Sequence, residues 1–192
     1  MWLNVFMSKA RAQRIKAIFF DVDGVMTDGN IYLLPNVGGG PPVEAKGFHA
    51  HDGVGISLAR MGGLKVGIIT RRSSETVAIR GRDLKLDYVE QGSMDKLTTM
   101  LQVLKREGLT ERDACFVGDD IVDLAVMRRC GLAIAVPNAR KEVKEEAHYI
   151  TKCAGGEGAA RDAVEYILRA QGRLEEVMKN YLSSHSGFAA GN

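Results

Sequence analysis

The strongest constraint on the fold is a repeated pattern: short apolar runs stop at polar residues and are followed by helix-like stretches. Lys16 to Phe20 runs into Asp21, Leu64 to Ile69 into Thr70, and Ala114 to Val117 into Gly118, Asp119 and Asp120. Runs of this length, bounded by glycine and charge, read as buried strands. Tyr88 with Val89, Leu132 to Val136 and Tyr149 with Ile150 predict further strands. Helices are expected at Gly53 to Met61, Ser73 to Arg82, near Met94 to Arg106, after Asp120 to about Arg129, and at Ala159 to Ala170. This alternation predicts an α/β fold, a doubly wound parallel sheet with helices on both faces. Ligands of such sheets sit beyond the carboxyl ends of the strands, so Asp21, Thr70 and Asp119 should meet on one rim.

One segment departs from the alternation. Ile31 to Leu34, the turn material Pro35 to Pro42 with three consecutive glycines, and Val43 to Phe48 predict a projecting β-hairpin. Only that hairpin and one helix separate Gly24 from Thr70, which leaves no room for a cap domain. A chain of 192 residues with 45% hydrophobic content supports one core. We expect a single domain at residues 8–182 and a flexible tail at 183–192, with Met1 to Met7 an extension and Met7 an alternative start. The 26 basic and 24 acidic residues are too balanced for a nucleic-acid partner. Met1 to Met7 is too short for a signal core or a membrane span. Cys115, Cys130 and Cys153 show no CxxC spacing, which fits a reducing, cytoplasmic setting, and Cys115 reads as core.

Asp21-Val22-Asp23-Gly24 sets two carboxylates two residues apart, able to face one substrate from an extended segment. A carboxylate can attack a phosphoryl group when a divalent cation offsets the repulsion, and a second acid can then protonate the leaving oxygen and later deprotonate water. The same tetrapeptide also suits a surface turn. Gly118-Asp119-Asp120-Ile121-Val122-Asp123 supplies a second acidic strand end. Asp21, Asp119 and the backbone carbonyl of Asp23 would suffice for magnesium (Mg2+), which takes oxygen ligands and keeps several waters. Asp120 or Asp123 is expected only to cap a helix. Thr70 and Lys96 can contact the transferring phosphoryl group, although both also suit ordinary strand and solvated positions.

These pieces, in this order, resemble the haloacid dehalogenase superfamily, and Asp23 resembles its phosphatase branch. Asp28-Gly29-Asn30-Ile31-Tyr32, Lys46 to Gly53, Gln91-Gly92 with Lys96, and Ala154 to Ala159 are similar to the capless 3-deoxy-D-manno-octulosonate 8-phosphate phosphatases. The resemblance implies Asp21, Asp23, Thr70 and Lys96 as catalytic residues, with Asp21, Asp23 and Asp119 as metal residues. It also implies substrate contacts at His49, His51, Asp52, Gly53, Ser57, Arg72, Arg80 and Lys96, and a homotetramer acting on a sugar-acid phosphate. The chain departs from the family pattern at His51, where arginine is usual, and at Arg71, where glycine is usual. Alternatives are a nonulosonate 9-phosphate phosphatase and a catalytically silent interaction subunit, the latter disfavoured by the full set of Asp21, Asp23, Lys96 and Asp119.

Overall fold

The chain folds as the alternation predicts, and the computed structural model describes residues 2–185. Its strands are β1 (Ala17–Phe20), β2 (Tyr32–Leu34), β3 (Val43–Ala45), β4 (Lys65–Ile69), β5 (Tyr88–Glu90), β6 (Ala114–Gly118), β7 (Leu132–Ala135) and β8 (Tyr149–Ile150). All but β2 and β3 form one parallel sheet in the order β5-β4-β1-β6-β7-β8. At its centre, Phe20 pairs with Ile68 on one side and Val117 on the other. Every residue of β1, β6 and β7 is buried, as parallel strands covered on both faces must be. Cys115 lies in this core, and burial pushes its thiol well up, so it stays protonated as expected.

The helices are α1 (Trp2–Ala12), α2 (Ala50–Met61), α3 (Glu75–Asp83), α4 (Lys96–Arg106), α5 (Leu124–Met127), α6 (Lys141–Glu146), α7 (Ala159–Ala170) and α8 (Leu174–His185). Helices α1, α2, α7 and α8 pack on one another, while α4, α5 and α6 form a second group. In α7 the buried residues Ala159, Ala160, Ala163, Val164, Ile167 and Leu168 repeat at helical spacing and make one apolar stripe. Neighbouring strands β1 and β6 thus lead to helices of different layers, and the crevice beyond their ends is where open α/β sheets take ligands.

Several boundaries differ from expectation. Helix α2 starts at Ala50 rather than Gly53, because the His49 ring Nδ1 accepts the His51 N–H at 3.3 Å and caps it. The turn after Asp120 is a 3-10 turn at Ile121–Asp123 before the short α5. Helix α6 was not legible, since its sequence KEVKEE buries only Val143 and has no apolar period. The expected bounds 8–182 fall inside α1 and α8, and the tail expected from residue 183 begins as helix up to His185. Met1 and residues 186–192 of that tail lie outside the described residues. Between β1 and α2 the only insertion is the β2–β3 hairpin, paired antiparallel from Tyr32–Ala45 to Leu34–Val43, and no cap domain occurs among the described residues.

Candidate active site

Asp21 follows β1 directly and is 6% exposed. Its Oδ1 accepts the Val22 N–H at 2.7 Å, and the Thr27 hydroxyl donates to the Val22 carbonyl at 3.3 Å, so the loop folds back on itself. Gly24 has φ of +90°, and a Cβ there would lie 2.2 Å from Asp119 Oδ2. The fourth residue of the acidic motif is therefore glycine for two reasons, a left-handed backbone and a carboxylate against it. A second clamp comes from behind: the Asn138 amide donates to the Gly24 carbonyl at 2.8 Å and accepts the Gly155 N–H at 2.8 Å. Gly155 sits so close that a Cβ would be 1.8 Å from the Gly24 oxygen. This explains the glycine-rich loop after Ala154.

Strand β6 brings its acids alongside. Lys96, at the first position of α4 and 3% exposed, places its Nζ 2.8 Å from Asp21 Oδ2 and 2.6 Å from Asp123 Oδ1. Asp123 Oδ2 accepts the backbone N–H groups of Asp119 and Asp120 at 3.0 and 3.3 Å. Asp119 Oδ1 is buried with no hydrogen-bond partner among the described residues. Asp21, Asp119 and Asp123 each offer an oxygen within 4.8 Å of the others. Burial and the Asp123 charge push the Asp21 carboxyl up to about 6, against the pull of Lys96. Burial, then Asp21 and Asp123, push Asp119 up to about 7. One ammonium does not balance these carboxylates, and the orphaned Asp119 oxygen completes an oxygen-rich set that fits a magnesium ion. Asp21 and Asp119 would hold it with the Asp23 backbone carbonyl, whereas both Asp123 oxygens are already engaged.

An open pocket of about 510 Å³ lies over this cluster, lined by Asp21, Asp23, Thr70, Arg72, Lys96 and Asp119. Residues expected from four separate segments thus converge. The remaining expected contacts do not line it. His49 and His51 stack edge to face at 4.6 Å at the start of α2. Asp52 is buried, and its Oδ1 accepts the Arg161 N–H at the start of α7 at 3.1 Å. Ser57 donates to the Gly53 carbonyl within its own helix at 3.0 Å, and Arg80 lies 5.6 Å over the Phe48 ring, beside Gly53. This second cluster sits at the α2–α3 edge, outside the pocket of its own chain.

Four residues escaped the site reading: Glu44, Lys46, Asn138 and Asp123. Of Asp120 and Asp123, one was expected only to cap; Asp123 accepts the Asp119 and Asp120 N–H groups but also holds Lys96 in place. Asp120 is the one that caps, accepting the Ile121 N–H at 2.7 Å. From the hairpin, the buried Lys46 ammonium pairs with Asp23 Oδ1 and lies 3.5 Å from Glu44 Oε1, while Glu44 Oε2 pairs with Arg72. The acid and lysine two residues apart in the hairpin, Glu44 and Lys46, were the available signal.

Residues 71–161 match the haloacid dehalogenase-like hydrolase family. The chain is 36% identical over 167 residues to the 3-deoxy-D-manno-octulosonate 8-phosphate phosphatase of Escherichia coli K12, covering 87% of this chain and 86% of that protein. The solved structure of the 3-deoxy-D-manno-octulosonate 8-phosphate phosphatase from Moraxella catarrhalis holds a magnesium ion, a phosphate ion and a KDO molecule. It superposes with a TM-score of 0.84 at 35% identity, covering 90% of this chain and 97% of that one. The cobalt-bound deoxy-D-mannose-octulosonate 8-phosphate phosphatase of Haemophilus influenzae superposes with a TM-score of 0.80 at 32% identity, covering 90% and 99%.

Proposed function

This chain belongs to the 3-deoxy-D-manno-octulosonate 8-phosphate phosphatases, within the haloacid dehalogenase-like hydrolases, and from that membership we propose that it hydrolyses the phosphomonoester of that sugar acid. One observation carries the chemistry: Asp21, fixed at the end of β1 with Lys96 at 2.8 Å, faces a pocket shared with Asp23, Asp119 and Arg72. Asp21 attacks phosphorus and forms an aspartyl phosphate, while Asp23 gives its proton to the departing sugar oxygen. Water then attacks the aspartyl phosphate, its proton passes to Asp23, and inorganic phosphate leaves. When bound, magnesium neutralises the repulsion between the attacking carboxylate and the phosphoryl oxygens. Thr70 and Lys96 contact the transferring group. The decisive experiment is phosphate release from a panel of sugar-acid phosphates. Preference for a nonulosonate 9-phosphate would move the substrate within the same chemistry.

Arg72 matches the substrate carboxylate, since a guanidinium grips such a group bidentately. Arg72→Ala should lower kcat/KM on the sugar-acid phosphate about 10- to 150-fold, the range for a charge-assisted hydrogen bond. Hydrolysis of a small aryl phosphate should fall less than about threefold by comparison. Equal losses on both substrates would assign Arg72 to the phosphate or to folding.

The pocket is open, so we read the hairpin as its cover in an assembly. Ile31, Tyr32, Leu33, Leu34 and Val43 are each about half exposed or more, and β2 and β3 form a two-stranded sheet with unpaired outer edges. Such edges pair with further strands, here those of identical hairpins in a closed homotetramer. Neighbouring subunits would then bring contacts such as His49 and His51 toward a pocket that their own chain leaves uncovered. Shortening residues 37–42 should lower efficiency on the sugar-acid phosphate while sparing slow aryl phosphate hydrolysis. A fully active monomer in light scattering would overturn the assembly. No helix among the described residues is long and apolar enough to cross a membrane.

A further inference from the structure

We infer that Lys46 is a positioning residue for Asp23, so that the root of the hairpin, not the sheet, sets the acid/base group; this rests on the phosphatase reading above. The two buried lysines near the pocket divide its two motif aspartates between them. Lys96 holds Asp21 through Oδ2 at 2.8 Å, and Lys46, whose side chain is 1% exposed, holds Asp23 through Oδ1. Asp23 lies in the loop after β1, where no strand pairing fixes it, and its side chain is 20% exposed. Without an anchor such a side chain samples several rotamers, and proton transfer requires one of them.

The anchor is itself braced. Glu44 Oε1 lies 3.5 Å from Lys46, Glu44 Oε2 pairs with Arg72, and the Glu44 carbonyl accepts the Thr76 hydroxyl of α3 at 3.3 Å. At the other Asp23 oxygen, Oδ2, the Arg72 Nε lies at 3.7 Å, beyond hydrogen-bond length. Oδ2 is thus the oxygen left to carry the proton. In the first half-reaction the Oδ2–H bond breaks as the bond from phosphorus to the leaving oxygen breaks and the Asp21–phosphorus bond forms. In the second, a water O–H bond breaks toward Oδ2 while the water oxygen bonds to phosphorus and Asp21 departs.

The test compares Lys46→Met and Lys46→Arg on a sugar phosphate, whose leaving oxygen needs a proton, and on 2,4-dinitrophenyl phosphate, whose leaving group does not. Lys46→Met should lower kcat/KM on the sugar phosphate about 10- to 100-fold, a part of what a positioned acid contributes. On the dinitrophenyl ester kcat/KM should change less than about threefold, with a burst of dinitrophenol because only the water step is slowed. Lys46→Arg should restore most of the loss, and circular dichroism confirms that each variant is folded. Equal losses on both esters, no loss, or a loss that arginine does not restore would overturn the positioning role. A wild-type protein without magnesium-dependent phosphate release from either ester would instead overturn the phosphatase reading beneath it.

Discussion

Asp21→Asn should abolish phosphate release, a loss of roughly four orders of magnitude or more, as removal of a covalent nucleophile produces elsewhere. The amide keeps the shape of the side chain but cannot form the acyl phosphate. Excess chelator should silence the wild type as well, and full activity under chelation would sink the metal requirement. A readout independent of turnover comes from the crowded carboxylates. In the metal-free protein Asp21 has its carboxyl pushed up to about 6 from an ordinary 3.8. The folded state therefore holds that proton more tightly than the unfolded chain, and the ionised form costs stability at every pH above about 6. The cost fades as the pH falls from about 6 toward 3.8, where both states are protonated. Metal-free Asp21→Asn carries no such charge, and it also relieves Asp119, whose carboxyl Asp21 helps to push up. It should unfold at a higher temperature than the metal-free wild type near neutral pH, with the gap closing in acid. A variant less heat-stable than the wild type at neutral pH would show that Lys96 pairing outweighs the repulsion. Magnesium should stabilise the wild type more than the variant, since the variant replaces one anionic ligand with a neutral one.

The second large effect belongs to Asp23. Asp23→Asn should slow turnover of a sugar phosphate by about two to four orders of magnitude, the range for a positioned acid/base. An amide can neither donate the proton needed by the leaving oxygen nor take one from water. The loss in kcat/KM should shrink as the leaving group becomes more acidic. An unchanged rate on a poor leaving group would leave Asp23 with only a backbone ligand role.

Local patterning was enough to read the sheet. β1 and β6 are fully covered strands and β4 is covered after Lys65, so their burial shows as apolar runs, and the residues that follow them, Asp21, Thr70 and Asp119, must share a rim in any parallel arrangement. Glycine at position 24 was legible as part of a motif, but its reason, Asp119 Oδ2 at 2.2 Å from the missing Cβ, is a contact across 95 positions of chain (119 less 24). Asp123 shows the same limit: its sequence position made it one of two candidates for a helix cap, and only folding reveals that its other oxygen holds Lys96.

What the sequence by itself determined is therefore the α/β alternation, the acidic strand ends and the chemistry two such carboxylates can perform. Only the tertiary structure decided which cations serve which acids, that His49, His51, Asp52, Ser57 and Arg80 stand apart from the pocket of their own chain, and that the hairpin root reaches Asp23 through Lys46. The division has a physical origin. Strand burial and helical periodicity are local properties written at spacings of two to four residues, whereas ion pairing depends on distances between segments brought together by folding.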